Sequence, residues 1–194
     1  MKITFMAKKG GVGKSTLSLM VYHAWSLSGQ QVAIHDWDIQ GTSTKSLSVL
    51  NGVRAEFGKT YDHIIFDTPP RLDHDATRLA EKSSDVVLVV TTPSPADIWE
   101  ASDTLAFAQE TNPNAQVRVV FNMVKKRTRL GKLIEKTIDR LELPALKNTV
   151  GYRECFQHAL GHGWAVLDDI ARKEILHLTI ELSSLTGQTQ ATLI

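Results

Sequence analysis

Cysteine is almost missing from this chain: Cys155 is the only one in 194 residues. A single thiol excludes an intramolecular disulfide and any four-cysteine zinc or iron–sulfur cage within one copy. It fits a reducing cytoplasm. Long apolar runs are missing too, with none near the ~20 residues that span a bilayer. The opening apolar stretch, Ile3 to Ala7, is too short for a signal peptide, so none is expected. Neither sign of charge dominates: 22 Lys and Arg against 21 Asp and Glu leave a formal net charge of +1. Binding to nucleic acid would therefore have to come from local clustering. There is no internal repeat, linker or low-complexity block, and no serine sits in a nucleophile-elbow pattern. His158 and His162 are spaced like metal ligands on a helix, but Gly161 and Gly163 interrupt that helix and no third ligand is apparent.

Nine residues dominate what is present: Lys8-Lys9-Gly10-Gly11-Val12-Gly13-Lys14-Ser15-Thr16. A short apolar run precedes them and an amphipathic segment follows, the strand–loop–helix setting of a phosphate-binding loop. Glycines let the backbone approach a ligand and adopt positive φ. Successive N–H groups and the helix N-terminus can then cradle phosphate oxygens. Lys14 is placed to reach the β- and γ-phosphates, and the Ser15 hydroxyl to ligate Mg²⁺.

Along the chain, strands are expected at Ile3–Ala7, Gln31–His35, Ile64–Phe66, Val86–Val90, Gln116–Val124 and Leu146–Val150, with a short edge strand at Arg54–Phe57. Helices are expected at Ser15–Leu27, Gly41–Leu50, 71–82, Ala96–Gln109, Thr128–Leu141, 152–160 and 168–186. The alternation predicts an α/β fold: a doubly wound, mostly parallel twisted sheet with helices on both faces. Residues 1–186 form one expected domain and 187–194 a frayed tail. Ligands of such sheets bind outside the carboxyl ends of the strands. The glycine loop, Asp36 with Asp38, and Asp67 all fall at such ends. Asp67 follows an apolar strand and precedes Thr68-Pro69-Pro70, where a metal-holding carboxylate of a phosphate-loop protein belongs.

The loop departs from the common form, because Lys8 stands where the first glycine usually does and Lys9 adjoins the glycines. Lys-Gly-Gly-x-Gly-Lys-Ser-Thr is the deviant Walker A form, and the chain resembles the ParA/MinD family of dimeric ATPases. The resemblance covers about the first 125 residues. It extends to Asp36-Trp37-Asp38-Ile39-Gln40-Gly41, where Ile39 replaces a frequent proline, to Asp67-Thr68-Pro69-Pro70, and to Pro93-Ser94-Pro95-Ala96-Asp97. It implies a Mg-dependent ATPase with ATP and Mg²⁺ as cofactors. Lys9 would reach the partner subunit's nucleotide, and Lys14 and Asp38 would act in hydrolysis, Asp38 by orienting the water. Ser15, Asp36 and Asp67 would serve the metal, with Asp36 supporting its outer shell. Lys9, Gly10, Gly11, Val12, Gly13, Lys14, Ser15 and Thr16 would cradle the nucleotide, and Asn122 would contact the base. The 149–153 segment matches the family's other base-side loop more loosely. The Pro-Ser-Pro stretch would build a dimer face or switch.

Residues 125–140 carry seven basic groups, Lys125, Lys126, Arg127, Arg129, Lys132, Lys136 and Arg140, against Glu135 and Asp139. Arg129, Lys132, Lys136 and Arg140 share one face of a single helix, the footprint of phosphate-backbone binding. The family's ATP-bound dimers bind DNA without sequence preference, which makes this stripe the expected DNA surface. The leading expectation is a plasmid or chromosome partition ATPase, cytoplasmic and nucleoid-associated, that lacks an N-terminal DNA-reading domain. It would dimerise on ATP and answer to a ParB-like adaptor. Alternatives are a MinD-like division-site or cargo-positioning ATPase, or an ATP-dependent cofactor-synthesis enzyme. The polar end lacks the basic amphipathic helix a membrane-bound regulator needs, so no membrane partner is expected.

Overall fold

The computed structural model describes residues 1–72, 75–186 and 191–192. Among these, strands β1 (Lys2–Met6), β2 (Val32–Asp36), β3 (Thr60–Tyr61), β4 (His63–Asp67), β5 (Val86–Thr91), β6 (Gln116–Phe121) and β7 (Ala191–Thr192) form. Five of them make one sheet in the order β2-β4-β1-β5-β6, and every pairing is parallel. Parallel strands covered on both faces read as continuous apolar runs, and all six residues of β5 are buried. The helices are α1 (Lys14–Leu27), α2 (Thr42–Val49), α3 (Asp75–Lys82), α4 (Pro95–Thr111), α5 (Arg129–Lys132), α6 (Ile134–Arg140), α7 (Cys155–His162) and α8 (Asp169–Ser183). The expected doubly wound fold is the observed one.

Alternation along the strands builds two apolar layers. Ile3, Phe5, Leu88 and Val90 meet Leu17, Met20 and Val21 of α1 and Ile175, Leu178 and Leu182 of α8. Met6, Val87, Val89, Val119 and Phe121 point the other way, onto Ile98, Ala101 and Ala108 of α4. Leu17, Met20, Val21 and Ala24 recur at helical spacing on the buried side of α1. Gly29, at φ 80°, supplies the left-handed residue that ends that helix. The sheet therefore holds β1 at its centre and delivers the ends of β1, β2 and β4 side by side. Register pairs Phe5 with Asp67 and Asp67 with Asp36.

Four expectations change. Thr128–Leu141 is two helices rather than one, because the chain breaks at Leu133. Leu133, at φ −95° and ψ −1°, ends α5 and starts α6, and Gly131 packs so tightly on the backbone of Lys125 that a Cβ there would lie 2.3 Å from its carbonyl oxygen. Leu146–Val150 forms no strand. It runs beside β6 through isolated parallel bridges, Val119 with Ala145 and Val124 with Gly151; Leu146 N donates to Val119 O and Val150 N to Phe121 O, so the segment spends more residues than β6 over the same stretch and keeps no continuous ladder. Arg54–Phe57 contributes one bridge, Arg54 with Ile34. Within the expected frayed tail, Ala191–Thr192 pair antiparallel with β3, while 187–190 and 193–194 lie outside the described residues.

At the end of the sheet away from the strand exits, Glu81 closes α3 with its side chain wholly buried. Its carboxylate oxygens lack a hydrogen bond of normal geometry. Burial pushes its carboxyl up to about 7 against the opposing charges of Arg78 and Lys82. The folded value lies above the unfolded one, so the protonated form is the one the fold favours. This contribution is complete below pH ~4.5 and is lost as pH rises through about 7. Glu81→Gln should therefore raise the melting temperature at pH 8 by roughly 2–4 °C, the shift of about 1 kcal/mol for a chain of this size. The gain should shrink towards zero at pH 5, and a thermal-denaturation series over that range checks it.

Candidate nucleotide-phosphate site

The nine-residue loop connects the central strand β1 to α1. Gly11 and Gly13 sit at φ 80° and 94°, in the left-handed region. Gly13 is also sterically fixed, since a Cβ there would lie 2.3 Å from Asn122 Nδ2. That amide donates to the Val12 carbonyl at 2.8 Å and so ties the end of β6 to the loop. Asn122 thus has a contact that its sequence context did not announce: it braces the cradle. Lys14 opens α1 almost fully buried. Burial lowers its ammonium below the ordinary lysine value, while the charges of Asp67 and Asp38 pull it back up. A lysine kept in such a place needs an anion opposite it.

Asp67 is completely buried. Ser43 donates to its Oδ2 at 2.5 Å, and its Oδ1 has no partner. Burial pushes its carboxyl up to about 6, Asp36 adds to the rise, and the hydroxyls of Ser43 and Ser15 with the charge of Lys14 oppose it. Asp36 spends both oxygens on the turn that follows it, accepting from Asp38 N at 3.0 Å and Thr44 N at 2.8 Å. Asp38, half-buried, accepts from Gln40 N at 3.0 Å. Ile39 is fully exposed. Among the described residues no three His, Cys, Asp or Glu side chains form a ready metal cage. Mg²⁺ does not need one, since it keeps waters and binds through one or two protein oxygens plus phosphates. The unpartnered Asp67 Oδ1 beside the Ser15 hydroxyl fits that donor set.

The loop's other lysines turn away from Lys14. Lys9 pairs with Asp97 in the first turn of α4, and Thr92 donates to the other oxygen of that carboxylate at 2.5 Å. Lys8 reaches Glu100 at 2.8 Å and Asp103 at 3.3 Å on the same helix. Burial alone would raise the Asp97 carboxyl. The hydrogen bonds from Lys9 and Thr92 and the ammonium charge overcome this and hold it below the usual carboxylate range. Ser43, Thr92 and Asp97 were not among the expected site residues. The Pro-Ser-Pro-Ala-Asp stretch, directly after Thr92, had marked Asp97 as part of a dimer face or switch; no spacing pointed to Ser43, which lies 24 positions from the aspartate it serves.

All seven basic residues of 125–140 are exposed. They do not lie on one helix, because the break at Leu133 separates Arg129 and Lys132 from Lys136 and Arg140. Lys125 rests on the Tyr152 ring, 4.4 Å from its centre, and Lys126 lies 3.5 Å from Glu174. Among the described residues no helix is long and apolar enough to cross a membrane.

Fold and loop together define a phosphate-loop nucleotide-binding domain. The model of the CobQ/CobB/MinD/ParA nucleotide binding domain matches residues 3–165, and the chain belongs to that family. It is similar to a protein of Halothiobacillus neapolitanus named for maintenance of carboxysome distribution, with 28% identity over 84% of this chain and 85% of that one. In structure it resembles a putative plasmid partition protein of Borrelia burgdorferi bound to AMPPNP, with a TM-score of 0.76, 18% identity, and 95% and 98% of the two chains covered. It also resembles the septum site-determining protein MinD of Pyrococcus horikoshii complexed with Mg-ADP, with a TM-score of 0.72, 14% identity, and 95% and 96% covered.

Gly13→Ala tests the cradle. A left-handed non-glycine residue costs about 1–2 kcal/mol, and the new methyl must also expel the Asn122 amide. Urea denaturation should show at least that loss, and titration with a fluorescent ATP analogue should show binding abolished.

Proposed function

We propose that the protein is a Mg-dependent ATPase that positions a cargo, working as an ATP-bound dimer on non-specific DNA. The observation that carries this reading is the division of labour between two lysines of one loop. Lys14 is buried and aimed at Asp67 and Asp38. Lys9 is half-exposed and turned away from its own cradle onto α4. A lysine that the chain's own phosphate site leaves outside is free for a neighbour's. The pair holding it joins this half-exposed ammonium to a nearly buried carboxylate that Thr92 also bonds. A charge-assisted bond to phosphate, at about 1.5–3 kcal/mol, can replace it.

In this scheme the loop and Lys14 hold the β- and γ-phosphates, while Ser15 and Asp67 hold Mg²⁺, with Asp36 fixing the turn around it. The metal, when bound, neutralises charge developing on the phosphate oxygens. Asp38 orients the water that attacks the γ-phosphorus, releasing ADP and inorganic phosphate. The exposed basic groups of 125–140 carry the DNA backbone, now as two short patches instead of one stripe. The likeness to a carboxysome-distribution protein favours cargo positioning over plasmid or chromosome partition, so the cargo in this reading is a protein assembly. An adaptor on that assembly, in the place of a ParB-like protein, stimulates hydrolysis. The site of action is the nucleoid in the cytoplasm.

Lys9→Ala should keep nucleotide binding within about threefold, under 1 kcal/mol, yet abolish hydrolysis measured as phosphate release. Asp97→Asn, which frees Lys9, should shift the concentration dependence of hydrolysis to lower protein concentration; an unchanged curve would contradict the exchange of partners. Binding of random duplex DNA with ATP should weaken with salt along a log–log slope of about −0.9 per phosphate contact. Lys132→Glu with Lys136→Glu should flatten that slope, and a salt-indifferent affinity would remove DNA from the scheme.

A further inference from the structure

A groove with a volume of about 570 Å³ lies between the start of α4 and the pair α5 and α6. That is the size of a ligand pocket, about 300–1,000 Å³, yet none of its lining belongs to the phosphate cradle. Ile98 and Trp99 line it from α4, and Leu130, Leu133 and Leu141 from the other side. Trp99 is 70% exposed, and all three leucines are exposed as well. A lone exposed leucine is ordinary, but four large apolar side chains exposed around one hollow are not.

Two charged side chains line the groove, and both are cations: Lys136 and Arg140, one turn apart on α6. Among the described residues neither is in an ion pair. The carboxylates of the same helix, Glu135 and Asp139, are outside the lining. An apolar hollow with uncompensated cations selects among occupants. A second copy packed through a two-fold axis would set the same groove against itself, cation against cation. Duplex DNA offers phosphates to Lys136 and Arg140 but little apolar surface to Trp99 and the leucines, since its bases are stacked inside. A peptide with apolar side chains on one face and carboxylates beside them satisfies both.

We propose that this groove docks an acidic amphipathic segment of a partner protein. Its apolar side chains pack on Trp99, Leu130, Leu133 and Leu141, and its carboxylates pair with Lys136 and Arg140. Those two cations are also among the groups assigned to DNA, so the segment and DNA exclude each other. The exclusion rests on the DNA reading proposed above; the docking does not.

The probe is a fluorescein-labelled peptide of leucine and glutamate, about five helical turns long (~18 residues), with its leucines at i, i+3, i+4 and i+7 spacing. Two controls keep the length, one with lysine for glutamate and one with serine for leucine. Fluorescence anisotropy without nucleotide or DNA should show the leucine–glutamate peptide binding about tenfold or more tighter than either control. Trp99→Ala should weaken that binding about tenfold or more, as loss of an aromatic anchor does. Lys136→Gln with Arg140→Gln should weaken it comparably and remove most of its salt dependence, and this pair carries the test if the alanine variant does not fold. Random duplex DNA added with ATP should displace the peptide. No binding, or equal binding of the lysine control, would overturn the docking and leave the DNA reading standing. A wild type that is dimeric without nucleotide and made monomeric by Trp99→Ala would give the groove to a second copy instead. A peptide that stays bound beside DNA would overturn the exclusion. A chain that binds no DNA with ATP would remove the DNA reading and the exclusion together, and the peptide titration would still decide the docking.

Discussion

A buried lysine facing a buried aspartate governs this molecule. Lys14 and Asp67 reach the same crevice from the ends of adjacent strands, and neither is exposed enough to be solvated by bulk water. Charges placed so cost free energy unless a partner completes them. Here the partners supplied by the chain are incomplete: Asp67 keeps one oxygen unbonded, and Lys14 is held down by burial. A bound phosphate with its metal would supply the missing opposite charges to both. The five-stranded parallel sheet is what makes the placement possible, because it brings the loop after β1 and the aspartates ending β2 and β4 into register.

The same economy explains α4. Its first three turns collect the cations that the cradle does not use, Lys9 on Asp97 and Lys8 on Glu100 and Asp103. Lys14 is buried, whereas Lys9 is half-exposed and held by one ion pair to the buried Asp97. One loop therefore carries a buried lysine and a half-exposed one paired on α4. Asn122, at the end of β6, hydrogen-bonds the phosphate loop at Val12, and Glu174 of α8 holds the Gly151 amide.

Much of this was legible in the residues, for identifiable reasons. Strand and helix alternation predicts the fold because buried parallel strands and amphipathic helices leave different periods. The glycine loop is legible because its chemistry demands a fixed spacing. Asp36, Asp38 and Asp67 are legible because they end apolar runs. Contacts made across long separations were not. Ser43 reaches Asp67 and Glu174 reaches Gly151 only after the sheet and α8 have folded. The split of the basic helix escaped because the periodicity of its apolar residues suits one continuous helix, while the break at Leu133 is a matter of backbone angles alone. The loose strand at 146–150 escaped likewise: its composition suits a ladder that the path of the chain allows only in part.

The central claim is that nucleotide at this loop joins two copies through the half-exposed lysine. Light scattering after size exclusion tests it most directly, with ADP and then with a non-hydrolysable ATP analogue. The account predicts one 21.5 kDa chain with ADP and twice that mass with the analogue. A single chain under both conditions, or a dimer that ignores the nucleotide, would contradict it.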